Sequence, residues 1–212
     1  CIEFPYGREM FDHTEFDTIY HEHVFYFTLT PLVPLLARYG LEIYDLERLS
    51  IHGGSLRLWI GHEGSHEPTP TVAALLADER ESGLGDIAYY EALARRVAEL
   101  RSDLLEALDA ILKQGGTIAA YGASAKGSTL LNYCDPPPGS IQFIADRSDW
   151  KHGRFSPGLH IPILPAGELE RRQPDYTLLL TWNFADEILE QQSSYRRKGG
   201  RFIIPIPKTR FE

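Results

Sequence analysis

Thr117-Ile118-Ala119-Ala120-Tyr121-Gly122-Ala123-Ser124-Ala125-Lys126-Gly127 runs from an apolar strand, through a loop headed by glycine, into the first turn of a helix. The strand is read over 117–121 and the helix over 125–133. Together they make one βα unit, and the residues that follow repeat the alternation. Strands are expected at 141–145 and 161–164, a helix near 166–172, a strand at 176–182, a helix near 185–198 and a last strand at 201–206. Runs such as Leu178-Leu179-Leu180 are apolar at every position rather than at every second one. Such strands are buried on both faces, as in a parallel sheet with helices on either side. The fold class is therefore α/β, with a doubly wound parallel sheet over 117–212.

Upstream, the period changes to that of a helix. Tyr90, Leu93, Val97, Leu100, Leu104, Ala107 and Ile111 recur at alternating spacings of three and four, and Gly115-Gly116 follows them. One apolar helix face over 86–114 accounts for this, with the glycines as its stop. At 1.5 Å per residue the helix is on the order of 40 Å long, enough to brace one domain against the next, although a plain packing helix is the favoured reading. Residues 64–70 are polar, with two prolines and a glycine, and read as a boundary loop.

Before that loop come a short strand, an aromatic and histidine-rich stretch, a helix over 31–39 stopped by Gly40, and strands at 41–49 and 55–61. Their linker, Ser50-Ile51-His52-Gly53-Gly54, carries paired glycines suited to a tight turn. Helix then hairpin resembles the close of a class I methyltransferase sheet. The expected organisation is thus 1–67, a methyltransferase-like tail; 68–116, a helical linker; and 117–212, a Rossmann-like domain. The chain opens on Cys1 with Met10 as its one methionine, which reads as part of a longer protein.

The chain has 212 residues, 43% of them hydrophobic and 24% charged, which is ordinary for a globular protein with a packed core. Lys plus Arg total 21 against 30 Asp plus Glu, for a formal charge of −9, which argues against a general nucleic-acid surface. No apolar run reaches the roughly 20 residues of a membrane helix, so no membrane partner is expected. Cys1 and Cys134 make neither a disulfide framework nor a recognisable metal pair, and a reducing cytoplasm is the expected location.

Tyr20-His21-Glu22-His23 puts two imidazoles, a carboxylate and a phenol within four residues. Histidine titrates near neutral pH, so the group suits acid–base work; a His-x-His metal pair and simple polar dressing at a domain edge are the competing readings. Gly122-Ala123-Ser124-Ala125-Lys126-Gly127 offers free amides and a helix dipole to a phosphate. Serine holds the middle glycine position of the dinucleotide fingerprint, and the order Lys126-Gly127-Ser128 is not that of a Walker loop. Asp146 follows Gly127 by 19 residues, where a dinucleotide enzyme keeps the acid that holds a ribose, though an aspartate there also caps turns. Lys151-His152-Gly153-Arg154 offers charge to a diphosphate or forms a solvated loop, and Trp182 and Asn183 fall at the ligand-binding edge of the sheet. His52-Gly53-Gly54-Ser55 has the look of an oxyanion glycine run, but no nucleophile elbow accompanies it, so it reads as a turn.

Taken in order, Phe16-Asp17-Thr18-Ile19-Tyr20-His21-Glu22-His23, His52-Gly53-Gly54-Ser55-Leu56-Arg57, Tyr121 to Gly127, Asp146-Arg147, Gly153 with Pro157-Gly158, Thr181-Trp182-Asn183 and Gly199 to Pro205 strongly resemble the SAM-dependent sugar C-methyltransferases. The resemblance covers nearly the whole chain. It implies methylation at C3 of a dTDP-linked 4-keto-deoxysugar: a base removes the proton beside the ketone, an enolate forms, and the carbon takes a methyl group. It further implies His23 as base with His21 as runner-up, Glu22 as its partner, Tyr20 as a donor near the sugar, and Ser124, Lys126, Gly122, Gly127, Asp146 and Asn183 on the nucleotide-sugar side. The family's cysteine-rich zinc region and acidic-glycine loop for S-adenosyl-L-methionine have no counterpart in this sequence. Zinc is expected only in the missing N-terminal region, and the S-adenosyl-L-methionine site mostly outside this chain, which would be inactive alone. No metal site is expected within it, and no oligomeric state is implied. Two rival readings are an NAD-dependent sugar oxidoreductase using the glycine loop and Asp146, and a non-catalytic nucleotide-sugar-binding module.

Overall fold

The computed structural model describes residues 1–49 and 51–212, with His52 described by its backbone alone. Ser50, in the expected linker, lies outside the described residues. Contacts divide the chain into two compact units: Cys1–Glu15 with Glu22–Arg96, and Phe16–His21 with Val97–Glu212.

The first unit holds strand β1 (Ile2–Pro5), helix α1 (Gly7–Asp12), helix α2 (Leu29–Ala37), strands β2 (Leu41–Leu49) and β3 (Ser55–His62), helix α3 (Pro70–Glu81) and the start of helix α4 (Ile87–Lys113). The strands form an antiparallel sheet in the order β1-β3-β2. In β3, Leu56 and Leu58 point to one face and are fully buried, as a period of two requires. They pack with Tyr6, Leu29, Leu32, Ile43, Val72 and Leu75, so α2 and α3 cover that face. Gly40, at φ +65°, turns the chain out of α2 and straight into β2.

Glu79, on α3, is completely buried in this unit. One carboxylate oxygen accepts from the Tyr6 hydroxyl at 2.7 Å and the Leu29 N–H at 2.6 Å; the other accepts from the Thr30 N–H at 2.7 Å and its Oγ1 at 2.5 Å. A negative charge therefore closes the open amides at the start of α2, where the helix dipole favours it. Burial, then the bond to Glu79, pushes the Tyr6 hydroxyl far above its ordinary range.

The second unit contains the rest of α4, strand β4 (Ile118–Tyr121), helix α5 (Ala125–Cys134), strands β5 (Ile144–Asp146) and β6 (Ile163–Pro165), helix α6 (Glu168–Arg172), strand β7 (Tyr176–Leu179), helices α7 (Ala185–Gln191) and α8 (Ser193–Arg197), and strands β8 (Arg201–Ile204) and β9 (Arg210–Phe211). The sheet order is β6-β5-β4-β7-β8-β9, parallel except for the edge strand β9. This is a mixed α/β, Rossmann-like sheet, with strand order reversing between β4 and β7. Ala119, Tyr121, Phe143, Ala145, Leu179, Tyr195, Phe202 and Ile204 form part of its core.

The single helix expected over 185–198 is two helices broken at Gln192. Past the break Tyr195 is fully buried in the core, and Ser194 Oγ donates to Glu170 at 2.7 Å. On α4 the buried row is Val97, Leu100, Leu104, Leu108 and Ile111, so Leu108 takes the place expected for Ala107. Among the described residues no helix is long and apolar enough to cross a membrane.

Candidate functional site

The glycine loop joins β4 to α5 at the carboxyl end of the sheet. Gly122 sits at φ +89°, and a Cβ there would lie 2.6 Å from the Thr181 side chain, so both conformation and space call for glycine. A Cβ on Gly127 would meet Leu180 at 2.6 Å; glycine here lets α5 approach the chain just after β7 closely. Ser124 is the N-cap of α5, its Oγ accepting from the Gly127 N–H at 3.0 Å.

Asp146 is 6% exposed and engaged by three donors. It accepts from the Ala123 N–H at 2.7 Å, the Ser148 N–H at 2.8 Å and Lys151 Nζ at 3.2 Å, while Lys151 also donates to the Ala123 carbonyl at 2.8 Å. The acid that would hold a ribose in a dinucleotide enzyme thus stitches the glycine loop to the β5 loop.

Beside Gly122 lies a cavity of about 290 Å³ whose lining includes Tyr121, Gly122, Asp146, Arg147, Thr181 and Glu187. It opens where the strand order reverses, the place open α/β sheets bind ligands. Thr181 Oγ1 is buried here with no hydrogen-bond partner among the described residues. Asn183 is half-buried in the 3-10 turn Trp182–Phe184. A larger depression, about 620 Å³, lies at the opposite edge near Asp175, Tyr176 and Arg201. Asp175 is occupied there by Thr117, and that edge is not where this architecture places ligands.

The segment Phe16–His21 belongs to the second unit. Its 3-10 turn Phe16–Thr18 lies against α5, with the Phe16 ring 4.9 Å from that of Tyr133. Asp17 is 0% exposed. Its Oδ2 accepts from Trp182 Nε1 at 2.7 Å; its Oδ1 accepts no hydrogen bond among the described residues, but Lys126 Nζ stands 3.9 Å away. The same ammonium is 4.4 Å from the centre of the Trp182 ring. Burial pushes the Asp17 carboxyl above its usual range, while Lys126 and the indole N–H pull it back. Asp17 as a partner of Lys126 and Trp182 was not evident from the sequence; the available signal was an acid flanked by Phe16 and, two places on, Ile19.

Tyr20 and His21 group with the second unit, with rings 6.2 Å apart, while Glu22 and His23 group with the first. In the first unit an open concavity of about 280 Å³ is lined by Glu22 and His23 with Phe4, Met10, Phe25 and Phe27 among others. The half-buried His23 imidazole stacks near Tyr26 at 6.4 Å. Glu22 and His21 are exposed. Among the described residues no group of three or more His, Cys, Asp or Glu stands close enough to hold a metal ion. Gly53 and Gly54, at φ +88° and +127°, form the turn between β2 and β3, and the Gly54 carbonyl accepts from the Tyr6 N–H at 2.9 Å.

The sequence profile of the C-methyltransferase C-terminal domain family matches residues 50–207. The C-methyltransferase NovU of Streptomyces niveus is 38% identical over 210 residues, which take in 99% of this chain and 50% of NovU. The chain therefore spans about half the length of that relative.

Proposed function

The chain belongs to the C-methyltransferase C-terminal domain family, and on that premise we propose that it supplies the proton-abstracting group and part of the sugar-nucleotide site of a SAM-dependent C-methyltransferase. The substrate is a dTDP-linked 4-keto-deoxysugar. His23 removes the proton from C3, Glu22 orients the imidazole, and Tyr20 donates toward the oxygen that becomes the enolate; His21 is the reserve base. The carrying observation is His23 itself, half-buried on the wall of an open concavity beside Glu22 rather than sealed in the core. The nucleotide lies along the Gly122–Gly127 loop and the adjoining cavity, with Asn183 as a polar contact.

Asp146 ties the glycine loop to the β5 loop through Ala123, Ser148 and Lys151, so its position already has a structural role without a ribose. The same role accounts for Asp146 without NAD. The methyl donor's site, and any zinc, are assigned to residues outside this chain, which alone is inactive. The three-part division at 1–67, 68–116 and 117–212, a cytoplasmic location, and the lack of nucleic-acid or membrane partners belong to the same reading.

The test uses the full-length protein and deuterium exchange at C3 of the sugar in D2O. In His23→Ala, both exchange and methyl transfer are expected to be lost, with S-adenosyl-L-methionine affinity kept. Undiminished exchange in that variant overturns the assignment.

A further inference from the structure

Three stretches far apart in sequence meet at one buried carboxylate. Asp17 comes from the segment Phe16–His21, Lys126 from the first turn of α5, and Trp182 from the turn after β7; all three lie within the second unit. A carboxylate removed from water is costly unless donors and an opposite charge replace its hydration. Asp17 has both kinds: the Trp182 indole N–H donates to it at 2.7 Å and the Lys126 ammonium stands 3.9 Å away. Lys126 is itself largely withdrawn from solvent, its side chain 17% exposed, and it lies over the indole it shares with Asp17.

We propose that Lys126 and Trp182 are positioning residues: they grip Asp17 and so fix the segment Phe16–His21, which carries Tyr20 three residues on. The proposal rests on the reading of Tyr20 given above. It assigns Lys126 a task other than holding phosphate, since an ammonium beside a buried carboxylate is already committed electrostatically. Loss of the grip removes the ties that Trp182 and Lys126 make to the segment, while the Phe16 ring stays against Tyr133. A misplacement on the order of 1 Å at a reacting group costs about 10²-fold in rate.

The grip is read in the 212-residue chain by NMR of 15N-labelled indoles. There are three tryptophans, Trp59, Trp150 and Trp182, hence three indole signals, and Trp182→Phe identifies its own by deletion. Asp17→Asn is expected to move the Trp182 indole proton upfield, Lys126→Ala to shift it, and Lys126→Arg to keep it near its original place. The dispersed backbone amide signals of the buried strand β4 report that the second unit has folded in each variant. In the full-length protein, Lys126→Ala is expected to lower kcat about 10²-fold with KM for the sugar nucleotide within about threefold, and Lys126→Arg to restore most of it.

An unmoved Trp182 signal in Asp17→Asn overturns the grip. A shifted signal with unchanged kcat, while Tyr20→Phe does slow turnover, overturns its positioning role, as does a raised KM at constant kcat in Lys126→Ala. If Tyr20→Phe turns over normally, the reading of Tyr20 falls, and the indole signal still decides the grip by itself.

Discussion

Replacing Glu79 tests the account of the first unit most severely. Its two oxygens serve four donors, and two of those, the Leu29 amide and the Tyr6 hydroxyl, belong to residues 0% and 1% exposed. Glu79→Ala leaves both without an acceptor, at about 1–3 kcal/mol each, and removes a charge from the start of α2, for about 3–5 kcal/mol in all. Glu79→Gln preserves the shape but not the polarity. Each carboxylate oxygen takes one backbone amide, so however the new amide is turned its NH2 faces the N–H of Leu29 or Thr30. About 2 kcal/mol follows from one unmet amide and the lost charge. The assay is amide hydrogen exchange of β3, the central strand of this unit, with β4 of the second unit as internal control. At about 1.4 kcal/mol per tenfold, the Ala variant should lose more than 10²-fold of β3 protection and the Gln variant roughly 30-fold. A loss below about tenfold in Glu79→Ala would refute the reasoning, because four donors would then have been satisfied elsewhere at little cost.

Two further outcomes are expected. The Cys134 thiol is 1% exposed and pushed up to about 12 by burial, whereas Cys1 is exposed; a thiol reagent at pH 8 should modify one cysteine quickly in the native chain and two in urea, and two fast thiols in the native state would contradict the packing of α5. Gly122→Ala forces a side chain into φ +89° and against Thr181, and should cost about 1–3 kcal/mol in urea unfolding. A midpoint unchanged from the parent chain would mean that the loop adapts without strain.

The second unit was legible because its signal is local and repeated. Strands without alternation, each followed by a helical stretch, announce a parallel sheet, and the observed strands fall within or beside the expected ones. Element ends were less legible, as for β7, which stops at Leu179 so that Thr181 can turn toward Gly122. Strand β9 leaves no mark in the sequence because two residues carry no periodicity; it is held beside β8 by the paired bonds between Phe202 and Glu212. The buried acids were illegible for a related reason. Nothing near Glu79 in sequence names Leu29 and Thr30 as its partners, and Trp182 is 165 residues from Asp17. The His23 neighbourhood could be singled out by residue type alone, since titratable groups at that density are uncommon, whereas the roles of Ser124 and Asp146 needed coordinates.

The membership of Phe16–His21 in the second unit bears on how this protein can be taken apart. A gene truncated to begin at Val97 would encode every strand of the six-stranded sheet yet omit six residues that the unit counts as its own. Such a product would expose the face of Tyr133 that Phe16 covers, and would present an indole and an ammonium arranged around a carboxylate that no longer arrives. Dissection at one point is therefore the wrong operation. A self-sufficient second unit calls for the short peptide to be grafted back, or supplied in trans.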